Sequence, residues 1–244
     1  MSSEEFQPSR LGTKQHWDDV YKREVSNFAD TGDEGEIWFG EDSVEKMVEW
    51  ALEHVPPSSQ PFVLEIGSGN GTLLFSLFEA GYDAQRMAGI DYSPDAVKLA
   101  QMIAATRGGE QISLSTCDFL TEVPATLKGQ DRGWDLLLDK GTYDAIALGD
   151  KDDSGRSPMS RYPTRAARLL RPGGLFLITS CNFTEEELKA DFVTPETDLV
   201  YHSRIKFPSF SFGGQSGNVY SSIAFEKKGL IMTVLDFRPI DNVS

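Results

Sequence analysis

The stretch FVLEIGSGNGT, residues 62–72, decides the fold. Its apolar run Phe62–Ile66 predicts a buried strand, and Thr72–Ala80 has the apolar spacing of a helix that Gly81 closes. Between them lies Gly-x-Gly-x-Gly, in which glycine lets the backbone turn sharply and approach a ligand closely. The N–H groups that open the helix are free to bind a polar group. The stretch therefore predicts a strand, a ligand-binding turn and a helix.

The same alternation continues on both sides of this stretch. Short apolar runs separated by helical patterns and glycine turns are typical of a parallel sheet with right-handed crossovers. Strands are predicted at 86–90, 112–116, 134–138 and 175–180, and helices at 43–54, from 93 onward, at 162–170 and at 185–191.

The pattern changes near the carboxyl end of the chain. Two β-rich runs, 207–212 and 219–225, flank the glycine-rich segment 213–218, which predicts a hairpin. The stretch 229–244 is ambiguous, since 230–237 has the composition of a strand while the whole segment also resembles a dispensable tail.

The first sixty residues differ from the rest. Residues 1–56 hold 14 acidic and 5 basic residues, a net charge of −9. Aromatic residues in such a polar segment indicate that it packs against another group. The segment either packs on the following domain or forms a lid over a ligand. The aromatic residues in question are Trp17, Tyr21, Phe28, Trp38 and Phe39.

Composition excludes several classes of protein. The 244 residues carry 23 basic and 38 acidic side chains, a net charge of −15, which argues against nucleic-acid binding and favours a basic protein partner. The apolar runs are too short for a membrane span, and the amino end lacks the features of a secretory signal. Two cysteines and three scattered histidines predict no metal site. We expect a cytoplasmic monomer.

Acidic side chains in the first half point to the ligand. Asp91 ends the second predicted strand, 20 residues after Gly71, where a carboxylate can bind both hydroxyls of a ribose. Thr72 stands where a dinucleotide fingerprint needs its third glycine, and Glu65 would repel a pyrophosphate but suits an ammonium group. S-adenosylmethionine has a ribose and an ammonium group and no phosphate.

The adenine end of such a ligand has candidate partners after the second and third strands. Asp118 can accept a hydrogen bond from the adenine amino group. Phe119 and Tyr92 offer walls for the ring, or serve only as loop anchors.

Taken together, these motifs resemble the seven-strand class I methyltransferases over about residues 60–228. They are Glu65-x-Gly67-x-Gly69-x-Gly71, Asp91, Asp118 and the turn Leu170-Arg171-Pro172-Gly173-Gly174. The resemblance implies an α/β, Rossmann-like seven-strand sheet, mostly parallel with the last strand antiparallel, with helices on both faces. It also implies S-adenosylmethionine as methyl donor and S-adenosylhomocysteine as product.

A narrower resemblance covers almost the whole chain up to Lys228. The sequence is similar to the elongation factor 1-alpha lysine methyltransferases, a cytosolic family that methylates a lysine ε-amine of that translation factor. The matching segments are 9–14, Trp17-Asp18-x-x-Tyr21, 27–28, 32–36, 38–41, 139–144, 179–182 and 210–214. These resemblances divide the chain into an acidic aromatic extension with a helix (1–60), a methyltransferase domain (61–228) and a tail (229–244).

The resemblance implies roles for individual residues. Asp139 and Tyr143 are the expected catalytic residues. Asp139 either binds the ammonium group of the donor, close to the transferred methyl, which is the favoured role, or orients the incoming lysine. Tyr143 is expected to line the lysine channel, and Asn182 and Phe183 are expected to contact the substrate. Alternatively, Asp139 caps a turn and Tyr143 packs in the core. The expected donor-binding residues are Trp38, Phe39, Glu65, Gly67, Gly69, Asn70, Gly71, Asp91, Tyr92, Ser93, Asp118, Phe119 and Asp139.

Other functions fit the same scaffold. The chain lacks the Asn/Asp-Pro-Pro-Tyr/Phe motif after its fourth strand, which counts against an adenine or glutamine acceptor. A small molecule or the amino terminus of a protein stays open as acceptor. A non-catalytic binding module is a further alternative, against which the intact set of acidic residues and glycines speaks.

Overall fold

A computed structural model describes residues 7–229 except 208–209, 213–214 and 218–219, and gives only the backbone of 210–212 and 215–217. A seven-stranded sheet has the strand order β3-β2-β1-β4-β5-β9-β6, in which β9 alone runs in the direction opposite to the other six strands. The strands are β1 Val63–Ile66, β2 Met87–Asp91, β3 Ser113–Thr116, β4 Trp134–Lys140, β5 Leu170–Ser180, β6 Leu199–Ile205 and β9 Ser221–Lys227. The Rossmann-like fold predicted from the sequence is confirmed.

Helices cover both faces of this sheet. Because side chains alternate along a strand, Leu137 packs into the core under α5, α6 and α7, while Leu136 and Leu138 pack into the core under α2, α3 and α4. The helices are α1 Lys14–Thr31, α2 Gly40–His54, α3 Thr72–Glu79, α4 Pro94–Arg107, α5 Thr142–Ala147, α6 Tyr162–Leu169 and α7 Glu185–Phe192. None of the helices within the described residues is long and apolar enough to cross a membrane.

The prediction that the runs 207–212 and 219–225 pair with each other in a hairpin is wrong. Residues of 219–225 enter β9, which pairs with β5 on one side and with β6 on the other. The run 207–212 contributes β7 (Phe210–Phe212), which pairs with β8 (Gln215–Gly217) in a separate two-stranded sheet. The sequence analysis missed β6, because its buried and half-buried positions do not alternate strictly. The predictions for 230–244 lie outside the described residues.

The amino-terminal extension is more helical than predicted. Thr13 caps α1 by accepting a hydrogen bond from the His16 N–H at 3.3 Å, and α1 packs against α4. Trp17 is buried, and its ring meets the Trp38 ring edge-on with centroids 4.7 Å apart. The aromatic residues of the extension thus pack on one another and on the sheet domain.

Candidate active site

A cavity of about 280 Å³ lies at the carboxyl ends of β1, β2, β3 and β4. In open α/β sheets this edge is where ligands bind, because the loops that follow the strands converge there. Eight of the predicted donor-binding residues line the cavity: Trp38, Gly67, Gly69, Asn70, Asp91, Tyr92, Asp118 and Phe119. The topology therefore brings these residues to one site from four different loops.

The glycine loop forms the floor of the cavity. Gly67 and Gly69 have φ angles of 67° and 55°, in the left-handed region that favours glycine. A Cβ at Gly67 would lie 2.0 Å from the Thr142 Oγ1, and one at Gly69 would lie 2.5 Å from the Tyr21 hydroxyl. The Thr142 hydroxyl also donates to the Ile66 carbonyl at 2.9 Å. Any side chain at these glycines would push away the groups that close the site.

Asp91 is held at the end of β2 by backbone donors. The Gly69 N–H donates to its Oδ2 at 3.1 Å, and the Ser93 N–H donates to its Oδ1 at 2.9 Å. Burial raises the pKa of this carboxyl to about 6, although both hydrogen bonds lower it. The carboxylate is therefore oriented at the cavity wall, with acceptor capacity left for a ligand hydroxyl.

The loop after β3 and the residue after β2 supply the next part of the wall. Asp118 accepts hydrogen bonds from the Leu120 N–H at 3.0 Å and from the Thr121 hydroxyl at 2.8 Å. Phe119 is buried against Tyr162, with ring centroids 4.8 Å apart. The Lys14 ammonium lies 5.5 Å from the centroid of the Tyr92 ring. Two aromatic rings and a carboxylate thus adjoin Asp91.

The amino-terminal extension closes the cavity, and sequence reasoning missed several of its contributions. Gly12, Tyr21 and Glu36 line the cavity together with Trp17 and Trp38. The Ser9 N–H donates to the Leu148 carbonyl at 3.1 Å, on the opposite rim. Helical spacing from Trp17 to Tyr21 was the available signal, since residues four apart share one face of a helix.

Residues 32–39, which we call the strap, are fastened to the body of the protein at three points. The Arg107 guanidinium on α4 binds the Glu34 carboxylate, and it also reaches Glu79 on α3 at 3.1 Å. The Asn70 amide donates to the Glu34 carbonyl at 3.0 Å. The Lys140 ammonium donates to the Trp38 carbonyl at 3.1 Å. These contacts hold the strap over the glycine loop.

The side chains of Asp139 and Tyr143 are turned away from the cavity. The Asp139 carboxylate is fully buried and accepts hydrogen bonds from the Thr142 N–H at 2.8 Å, the Tyr143 N–H at 3.0 Å and the Tyr162 hydroxyl. Burial raises its pKa to about 7. The Tyr143 hydroxyl donates to Asp191 at 2.8 Å within the core. In this arrangement Asp139 secures the start of α5, and the catalytic roles of both residues stay predictions.

The remaining predicted residues lie around the site without lining it. Glu65 is buried below the glycine loop, and among the described residues its Oε2 has no hydrogen-bond partner. The same holds for the hydroxyl of the buried Ser93. Phe183 is also buried, while Asn182 is half-buried and donates its N–H to the Ser180 hydroxyl at 3.1 Å. Gly71 precedes α3, and a Cβ there would meet the Phe75 ring.

Phe39 lies on the other side of β4 from the glycine loop. Its ring stacks on Tyr220 with centroids 4.9 Å apart and covers Gly141, since a Cβ at Gly141 would lie 2.9 Å from the Phe39 Cζ. Phe207 meets Tyr220 edge-on at 5.7 Å. These three half-buried rings form a second aromatic surface next to the cavity.

Comparison with known proteins identifies relatives along nearly the whole chain. A family model described as "Methyltransferase domain" matches residues 58–229. The chain is 42% identical to protein-lysine N-methyltransferase efm4 of Schizosaccharomyces pombe, over 89% of this chain and 94% of that protein. It is 41% identical to EEF1A lysine methyltransferase 2 of Homo sapiens, over 91% of this chain and 89% of that protein.

Solved structures share the fold at much lower identity. The N-methyltransferase NodS from Bradyrhizobium japonicum, solved with S-adenosylhomocysteine, is 18% identical, with a TM-score of 0.56 over 86% of this chain and 98% of that one. The [4+2]-cyclase SpnF is 14% identical, with a TM-score of 0.64 over 94% of this chain and all of that one. At these identities the likeness concerns the fold alone.

Proposed function

Because this chain belongs to the family of protein-lysine N-methyltransferases that includes efm4 and EEF1A lysine methyltransferase 2, we propose that it methylates a lysine ε-amine of translation elongation factor 1-alpha with S-adenosylmethionine as donor. The observation that carries the proposal is the cavity at the carboxyl edge of the sheet, in which Asp91, Asp118 and the glycine loop converge. The family relationship supplies the acceptor, and the cavity supports the donor.

The residues of the cavity fit S-adenosylmethionine. Asp91 would accept hydrogen bonds from the ribose hydroxyls, and Asp118 with Phe119 and Tyr92 would hold the adenine. The glycine loop leaves room for the amino-acid end, for which Tyr21 and Trp38 would form part of the wall. The buried Ser93 hydroxyl and Glu65 Oε2 lie close to the cavity without lining it, and neither has a hydrogen-bond partner among the described residues.

When bound, S-adenosylmethionine supplies a methyl group on a sulfonium, which a neutral amine can attack without a covalent enzyme intermediate. A lysine amine has a pKa of about 10.4 in water, so the protein must favour its neutral form by desolvation. Trp17, Tyr21 and Trp38 line the cavity with aromatic rings that would desolvate the amine, and the chain would contribute mainly by aligning the two reactants.

We place the acceptor on the half of the sheet edge that the donor residues leave free. Tyr220 directly precedes β9, whose Ser221 pairs with Ser180 at the end of β5. Phe39 and Tyr220 therefore stand beside Gly141 on the side away from Asp91. Aromatic rings attract an alkylammonium group by about 0.5–2 kcal/mol, which suits a lysine side chain and its methylated product.

The proposal is tested by methyl transfer to recombinant elongation factor 1-alpha with labelled S-adenosylmethionine, followed by mass spectrometry of the product. We expect one methylated lysine, and no label after that lysine is replaced by arginine. If no methyl transfer is seen, calorimetry with S-adenosylhomocysteine shows whether the donor or the acceptor is wrongly assigned. Binding without transfer would refute the acceptor, and absence of binding would refute the donor.

A further inference from the structure

Lys140 occupies an unusual position for a basic residue. It is the one Lys or Arg among the described residues that line the cavity, where the acidic residues are Glu36, Asp91, Asp118 and Asp150. Sequence reasoning assigned no role to it. A cation at the wall of an otherwise acidic and aromatic cavity calls for an anionic partner, because burying an unpaired charge is costly.

The surroundings of Lys140 leave its charge incompletely matched. Within the described residues, the hydrogen bond of its ammonium goes to the uncharged Trp38 carbonyl at 3.1 Å, although an ammonium has three donors. Burial lowers the pKa of Lys140, while the negative charges of Glu65 and Asp139 raise it. These two carboxyls favour the ammonium form of Lys140 without lining the cavity themselves.

The position along the chain explains which end of a ligand Lys140 would meet. It is the last residue of β4, directly before Gly141, and it holds the strap at Trp38. Asp118 and Phe119 lie beyond β2, since β4 pairs with one edge of β1 and β2 with the other. Lys140 is thus separated from the adenine wall by the glycine loop, on the side where the amino-acid end of the donor belongs.

We infer that the Lys140 ammonium binds the α-carboxylate of the methyl donor and of its product, S-adenosylhomocysteine. This inference rests on the proposed function, because it assigns a further residue of the same site. The carboxylate is the one anionic group of that ligand, and Lys140 is the one basic group in the described cavity lining.

Lys140 would also link the bound donor to the strap. The same ammonium donates to the Trp38 carbonyl, so a carboxylate bound to Lys140 would lie beneath the strap. A charge-assisted hydrogen bond to the ligand would be shielded from water by the Trp38 ring, which strengthens it. Lys140 would therefore join the closed strap and the bound donor in one contact.

The test compares two ligands by isothermal titration calorimetry on the full-length protein. One is S-adenosylhomocysteine, and the other is its decarboxylated analogue, which keeps the amine. We expect the wild type to bind S-adenosylhomocysteine about 10- to 100-fold more tightly, the range for a hydrogen bond between charged groups. Lys140→Met should lose this preference while binding the analogue about as well as the wild type. Lys140→Arg should keep part of it.

Lys98→Met is the matched control, because Lys98 is exposed on α4 and does not line the cavity. It should retain the wild-type preference. Thermal melting monitors folding of each variant, and the wild-type ratio of the two ligands tests the carboxylate contact even if Lys140→Met fails to fold. A Lys140→Met protein that folds and keeps the full preference would overturn the inference. A wild type that binds neither ligand would instead refute the proposed function.

Discussion

At the scale of single residues, Asp91 shows how strand geometry prepares a side chain for a ligand. Its two oxygens each accept a backbone N–H, from Gly69 and from Ser93, so the carboxylate cannot rotate away from the cavity. Burial raises its pKa to about 6. The proposed ribose site therefore depends on a carboxyl whose pKa of about 6 puts its protonation in mildly acidic solution.

We predict that Asp91→Asn weakens binding of S-adenosylhomocysteine by about 10- to 100-fold, because an uncharged amide replaces a charged acceptor. In the wild type, affinity should fall as the pH drops through about 6, since protonation removes the acceptor charge. Calorimetry between pH 5 and pH 8 measures both effects. Asp153→Asn, at an exposed position outside the cavity, should leave affinity unchanged. An Asp91→Asn protein with wild-type affinity would contradict the ribose assignment.

The ring of Tyr220 provides a second prediction at this scale. If Phe39 and Tyr220 receive the acceptor lysine, Tyr220→Ala should raise KM for elongation factor 1-alpha about threefold or more, the effect of losing one cation–π contact. Binding of S-adenosylhomocysteine should stay at the wild-type level. Tyr201→Ala is the control, since Tyr201 is an exposed tyrosine on β6. Equal KM values for the two variants would place the acceptor elsewhere.

Sequence reasoning found the site residues that belong to short local motifs and missed those that arrive from a distance. Gly67, Gly69 and Asp91 are recognisable because a strand, a turn and a helix surround them. Tyr21, considered only as packing or as part of a lid, lines the same cavity because α1 folds back over the sheet. Lys140 lies in the motif 139–144 at the end of β4, but the motif alone does not show that its side chain reaches the cavity. Asp139 lies in a recognisable motif, but which face of β4 its side chain takes depends on packing against Tyr162.

At the scale of elements, the sheet differs from α1 and the strap in how clearly the sequence indicates it. The strands were predictable because buried parallel strands are short, apolar runs. Helix α1 was not predicted, although Trp17, Tyr21, Val25 and Phe28 follow one another at intervals of four, four and three residues. Its polar majority hid this spacing, and its stability comes from packing on α4 rather than from composition.

The strap leads to a prediction about Arg107. Arg107→Met removes the ion pairs with Glu34 and Glu79, so hydrogen exchange in residues 32–39 should accelerate. Binding of S-adenosylhomocysteine should weaken by about twofold to fivefold, since partly exposed ion pairs contribute little individually. Exchange monitored by mass spectrometry and calorimetry provide the measurements. Arg132→Met, at an exposed position, is the control. Unchanged exchange in the strap would mean that Asn70 and Lys140 suffice to hold it.

At the scale of the whole molecule, buried carboxyls link stability to pH. Burial raises the pKa of Asp139 to about 7 from a usual 3.8, and that of Asp91 to about 6. The folded state therefore binds more protons than the unfolded state between about pH 4 and pH 7. By linkage, these two groups make the folded state less stable as the pH rises through that window. His16 and His202, whose pKa values burial lowers, act in the opposite direction.

We predict that Asp139→Asn flattens the dependence of stability on pH. The free energy of unfolding of the wild type should decrease more steeply between pH 5 and pH 7 than that of the variant, because asparagine does not titrate. Urea titrations at several pH values measure the free energy of unfolding of both proteins. The difference between the two curves removes the contribution of the histidines, which both proteins share. Asp153→Asn should keep the wild-type slope. Parallel curves for wild type and Asp139→Asn would mean that Asp139 has an ordinary pKa in the folded protein.

The hydrogen bond between Lys140 and Trp38 joins residues 102 positions apart in the sequence. During synthesis, α1 and the strap leave the ribosome long before β4 exists to receive them. Trp17, Tyr21 and Trp38 are therefore synthesised before the strand that completes the cavity they line. The contact that fastens the strap over the cavity thus forms only after β4 has been synthesised.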